Sequence, residues 1–169
     1  YYGQFERATQ LLKKDHQYLE KCPALHYLLG LIEAYQSEGD QSQQTQKIQV
    51  HLQALYPLKL SSPRISIWYT RLLILSGQTQ EAIKIRKTSL ERYPHHTLLK
   101  LDYAHQLLIA HRWKEAEDVA LTLLREQEQN LKALLILADL DVMQSRVDEA
   151  VDKLSKCIDH PGSQEIWIR

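Results

Sequence analysis

A six-residue phrase ending in alanine returns at a fixed distance along this chain. It reads Gly77-Gln78-Thr79-Gln80-Glu81-Ala82, then His111-Arg112-Trp113-Lys114-Glu115-Ala116, then Ser145-Arg146-Val147-Asp148-Glu149-Ala150. The alanines lie 34 residues apart, 116 − 82 and 150 − 116. Such self-similarity means one supersecondary unit stacked on copies of itself, each burying the apolar face that the next cannot bury alone. Gly 5 and Pro 5 among 169 residues are too few for a sheet protein full of tight turns, so the repeated unit is read as helical. The expected fold is all-α, a helix-turn-helix repeat solenoid that presents a long surface rather than a chemical pocket.

The remainder joins the array less regularly. Gly3-Gln4-Phe5-Glu6-Arg7-Ala8 is the same phrase and Gly39-Asp40-Gln41-Ser42-Gln43-Gln44 a degraded copy, with spacings of 36 (44 − 8) and 38 (82 − 44). The surplus falls in turns, where insertions are tolerated, chiefly in a long inter-repeat loop from Pro57 to Pro63. We expect one continuous array over 1–169: a partial repeat 1–24, repeats at about 25–62, 63–96, 97–130 and 131–164, and the opening of a further helix at 165–169. Second helices should begin near Phe5, Gln41, Gln80, Lys114 and Asp148. Tyr1-Tyr2-Gly3 reads as the tail of an earlier helix and Gln164 to Arg169 as the start of a later one, so the expectation is a piece of a longer array. Neither end supplies a polar cap, which makes self-association through uncapped ends a third class of behaviour to consider.

Charge and cysteine usage narrow the partners. Lys+Arg 21 against Asp+Glu 21 leaves no net field to hold nucleic acid, so recognition must be local. No apolar run approaches the roughly 18 residues that span a bilayer, so no membrane insertion is expected of this segment. Cys22 and Cys157 lie far apart without metal spacing, which favours reduced thiols and a cytoplasmic setting, with a bacterial periplasm as the other option. Compartment is otherwise unknown from sequence.

Taking Pro63, Thr97 and Leu131 as first residues of three units, each unit divides into two helices about the phrase, the middle unit at about Thr97–Ala110 and Lys114–Glu128. Small residues recur at the eighth place (Thr70, Ala104, Ala138) and the twentieth (Ala82, Ala116, Ala150), where they let paired helices approach closely. Larger apolar residues should fill the space between units: Tyr69, Leu73, Tyr103, Leu107, Leu137 and Leu140 from first helices, Leu90, Leu123, Leu124, Leu154 and Ile158 from second helices.

On these residues the chain resembles the tetratricopeptide repeat (TPR) family, whose units of this period stack into a right-handed superhelix. The resemblance covers essentially the whole chain and is strongest from Pro63 to Ile158, with the Gly-led turn at Gly77, Pro94, and Phe5 and Trp113 at an aromatic place three residues before Ala. The sequence departs from the family where Ser66, Lys100 and Leu134 replace an early Trp, and where Asp141 stands at a place usually large. Leu29-Gly30 resembles the family's Leu-Gly, two residues out of register with Gly39.

Catalytic chemistry is not legible. His105 and His111 fall on different helical faces and His95-His96 diverge in a turn, so no metal site, cofactor or enzyme activity is expected. No phosphate loop, nucleophile elbow or activated Cys is present. The resemblance raises the carboxylate clamp of chaperone-binding members, built on paired Asn and Lys. Asn130 is the chain's single Asn and lies in a turn, so neither the clamp nor an Asn ladder is available.

The resemblance also implies that places two, five, nine and twelve of first helices face a concave groove. These are Arg64, Leu98 and Lys132; Ile67, Leu101 and Leu135; Arg71, His105 and Asp139; Ile74, Leu108 and Val142. Two rows are wholly apolar, which suggests a groove for an amphipathic helix or apolar extended segment. The expected function is therefore a non-enzymatic scaffold for protein–protein interaction that binds a peptide or helix there. The alternative is the repeat region of a larger enzyme or bacterial envelope-assembly protein that positions substrate for chemistry elsewhere.

Overall fold

A computed structural model describes residues 10, 22–36 and 41–158. Eight α-helices and one short 3-10 turn make up the described residues, with no strand among them. They are α1 Pro23–Gln36, α2 Gln41–Leu55, the turn Tyr56–Leu58, α3 Pro63–Leu75, α4 Thr79–Arg92, α5 Thr97–Ile109, α6 Trp113–Glu126, α7 Leu131–Met143 and α8 Val147–Ile158. The second helices α2, α4, α6 and α8 begin at or one residue before the expected starts; Phe5, Tyr1 to Gly3 and Gln164 to Arg169 lie outside the described residues. No described helix is long and apolar enough to cross a membrane.

Two chemical signals repeat with the period. Ser62, His96 and Asn130 each cap a first helix, their side chains accepting from the backbone N–H of Ile65, Leu99 and Ala133 at 3.3, 3.2 and 3.1 Å. Each cap satisfies a donor that the helix start leaves orphaned. Gly77, His111 and Ser145 then carry φ of 79°, 57° and 60° in the turns between paired helices. The following amides of Gln78, Arg112 and Arg146 reach back to the carbonyls of Leu73, Leu107 and Asp141 at 2.7, 2.9 and 2.8 Å, closing Schellman-type ends.

The chain divides into two compact units, Tyr1–Pro94 and His95–Arg169. In the first, α1 pairs with α2 and α3 with α4, and α3 also packs on α1 and α2. Tyr27, Ile48, Leu52, Leu55, Tyr69, Leu72 and Leu73 fill its core. Gly30 stands eighth in α1, as Thr70 does in α3; a Cβ there would fall 2.8 Å from Cδ2 of Leu72. That close approach of α1 to α3 requires glycine. The loop from Pro57 to Pro63 is held by Tyr93, whose hydroxyl donates to the carbonyls of Ser61 and Leu60 at 3.0 and 3.3 Å.

In the second unit α5 pairs with α6 and α7 with α8, while α7 packs on both α5 and α6. Ala104, Ala116, Ala138 and Ala150 are buried at these crossings, as Thr70 and Ala82 are in the first unit. Cys157 is buried, and burial pushes its thiol pKa up. Ile158 was expected between units but is exposed, because it stands one residue off the helical face that buries Ala150 and Cys157.

Where the family carries Trp, polar bridges join the paired helices instead. Ser66 and Ser89 hydroxyls meet at 2.5 Å, and Lys100 donates to both oxygens of Glu126 at 2.5 and 2.6 Å. Thr70 returns its hydroxyl hydrogen to the Ser66 carbonyl at 2.8 Å and accepts from the fully buried Arg86.

Candidate functional site

Packing on two sides decides how much of each first helix remains open. On α5, Leu99, Lys100, Leu101, Tyr103, Ala104, Gln106, Leu107 and Leu108 are buried, leaving Leu98, His105 and Ile109 exposed. These three are separated by seven and four residues, a single stripe down one face. Lys132, Asp139, Val142 and Met143 extend this stripe on α7 of the same unit, and in the first unit Arg64 and Arg71 are exposed at the matching places of α3.

The two apolar rows expected to line a groove are not open surfaces. Ile67, Leu101 and Leu108 are 4%, 8% and 4% exposed and belong to the core, while Leu135 and Ile74 are half-buried. Of these rows Val142 alone is open, at 59%. Places five and twelve lie three and four residues from the small eighth place that faces the paired helix, and packing there buries Ile67, Leu101 and Leu108, while Val142 near the end of α7 stays open. What the first helices present is mixed: arginines on α3, and an aliphatic, imidazole, ammonium and carboxylate set on α5 and α7.

The stripe in the first unit has a fixed element. Arg71 Nη1 donates to the Tyr27 hydroxyl at 3.4 Å, and the Tyr27 ring stacks on Trp68 with centroids 5.3 Å apart and planes 11° from parallel. Tyr27 and Trp68 come from α1 and α3, so the aromatic pair ties the two first helices where the guanidinium projects.

Asp141, at a place usually large, is buried and ligated instead of exposed. Its Oδ1 accepts from Arg146 Nε and Nη2 at 2.9 and 2.6 Å, and its Oδ2 from Lys153 Nζ at 2.5 Å. Among the described residues no group of three or more His, Cys, Asp or Glu side chains is placed to hold a metal ion. One histidine pair does converge: His26 and His51, 25 residues apart, meet across α1 and α2 with Nδ1 atoms 3.2 Å apart. No local spacing reveals that pair, because the two rings come from different helices.

Paired helices with a periodic cap, a periodic left-handed turn and small residues at the crossings define an all-α helix-turn-helix repeat protein, and the chain has the TPR fold. It is similar to the crystal structure of YrrB, a TPR protein with an unusual peptide-binding site, with a TM-score of 0.60 over 99% of this chain and 85% of that one at 12% identity. No protein-family model matches the chain. No curated protein matches it either.

Proposed function

We propose that this chain is a non-enzymatic repeat scaffold that binds a peptide or an amphipathic helix along the exposed stripe of the first helices α5 and α7. The observation that carries the reading is the recurrence of that stripe within the second unit: Leu98 and His105 on α5, and Lys132 and Asp139 on α7, stand seven residues apart on two packed first helices whose other faces are largely buried. A surface that alternates charge with Leu98 and Val142 suits a ligand holding both apolar and charged side chains along one edge. The peptide-binding site of YrrB supports the same class of ligand. Packed pairs such as Lys100 with Glu126, engaged in structure, support a scaffold rather than a catalyst.

Peptides of about twelve residues selected against the protein by display, then titrated by fluorescence anisotropy, test this reading. Lys132→Glu combined with Val142→Glu is expected to weaken the selected peptide at least tenfold with an unchanged melting curve, since both side chains are open to water. Unchanged affinity in that variant would contradict the reading.

A further inference from the structure

The histidine pair in the first unit has the nitrogen spacing of two ligands of one metal ion, with a carboxylate beside the far nitrogen of His51. His51 lies almost wholly inside the α1–α2 pair, with its side chain 8% exposed, and its Nε2 is 3.1 Å from Oε2 of Glu33, itself 14% exposed. A carboxylate accepts only, so Nε2 carries the hydrogen toward Glu33, and in a neutral ring the lone pair is then on Nδ1. That lone pair faces Nδ1 of His26 at 3.2 Å, with the ring planes 54° apart.

Two imidazole nitrogens bound to one tetrahedral ion at about 2.0–2.1 Å stand about 3.3–3.4 Å from each other. The observed separation is 3.2 Å, so the spacing of the two Nδ1 atoms matches that of a pair sharing one ion. A carboxylate on the far nitrogen of a ligating histidine is the recurrent second-layer arrangement, fixing tautomer and ring orientation while raising ligand basicity. His26 is half-buried, so water can reach the ring to complete the coordination. The site is held in shape from behind: Gly30 passes beside His51 Cβ, at 3.5 Å from where its own Cβ would be, and brings α1 against α2 and α3.

We propose that His26 and His51 form a two-histidine site for a divalent transition-metal ion of the zinc and copper class, bound through both Nδ1 atoms and oriented by Glu33. The ion takes the place of the hydrogen that the two rings share, and that hydrogen moves to Nε2 of His26 as the neutral ring changes tautomer. With two protein ligands, copper(II) binds more tightly than zinc, following the general order for nitrogen sites. The site joins α1 to α2, so occupancy stabilises that helical pair by mass action.

Isothermal titration of Zn2+ into the protein, repeated for His26→Gln, His51→Gln and Glu33→Gln, tests this. The expected result is a site of one ion per chain that loses at least tenfold in affinity in either histidine variant and roughly ten- to a hundredfold in Glu33→Gln. Because His51 is buried and its variant is liable to unfold, His26→Gln is the decisive one, with folding checked by circular dichroism. In parallel, the Cu2+ electron paramagnetic resonance spectrum should show two imidazole nitrogens in the native protein and one in His26→Gln. Zn2+ uptake that is absent, or that is unchanged in folded His26→Gln, overturns the proposal and leaves the pair as a hydrogen bond alone.

Discussion

Lys153 reaches from α8 to place its ammonium 2.5 Å from Oδ2 of Asp141 on α7, while Arg146 in the intervening turn holds the other oxygen. A carboxylate stands where a large apolar residue would pack, and its two cations close the hairpin instead. Asp141 is 4% exposed against 26% and 38% for Lys153 and Arg146, so the carboxylate carries most of the desolvation cost. Asp141→Ala is expected to destabilise the protein by about 2 kcal/mol in urea denaturation, the range for buried hydrogen bonds to charged groups. Loss of less than a few tenths of a kcal/mol would show the pairs to be incidental.

The same cluster sets a pH dependence. Burial pushes the Asp141 carboxyl up, but hydrogen bonds from Lys153 and Arg146 outweigh it and hold the carboxyl below its ordinary 3.8. The unfolded chain therefore takes up this proton first as pH falls, and the contribution, full above the unfolded value, is lost as pH drops through the folded one. The stability difference between native protein and Asp141→Asn should be largest near neutrality and shrink below pH 3.8. A difference constant to pH 2 would contradict this.

His111 and Ser145 adopt the left-handed backbone that Gly77 adopts in the first unit. A side chain there costs about 1–2 kcal/mol, partly offset by the greater unfolded freedom of glycine. His111→Gly and Ser145→Gly should each stabilise by about 0.5–1 kcal/mol, and Gly77→Ala should destabilise by about as much. Thermal melts of the three variants check the signs.

Both amide atoms of Gln106 are buried without a hydrogen-bond partner, in a side chain 3% exposed. An unsatisfied buried amide costs about 1–3 kcal/mol, so the near-isosteric Gln106→Met should raise stability by about 1 kcal/mol or more. Ala116, fully buried where α5 meets α6, behaves oppositely: Ala116→Leu should cost about 1–3 kcal/mol by overpacking.

How much of this was legible follows from particular residues. The phrase ending at Ala82, Ala116 and Ala150 announced the second helices, because an obligatory small residue leaves a fixed mark at each crossing. The caps were not legible as a set, since Ser62, His96 and Asn130 do one job with three chemistries. Of the left-handed turns only Gly77 was visible; His111 and Ser145 adopt the conformation because the helix ends impose it. Ile67, Leu101 and Leu108 were assigned to a groove by resemblance, but spacing cannot say which side of a first helix its neighbours cover. His26, His51 and Glu33 converge through the packing of α1 on α2, which no short motif encodes.

The central claim is that ligands meet the first helices, and hydrogen exchange read by mass spectrometry with a display-selected peptide tests it most directly. The account predicts slowed exchange on binding in 97–109 and 131–143, the first helices α5 and α7, with α6 and α8 unchanged. Protection confined to 113–126 and 147–158 would place the binding surface on the second helices and contradict it.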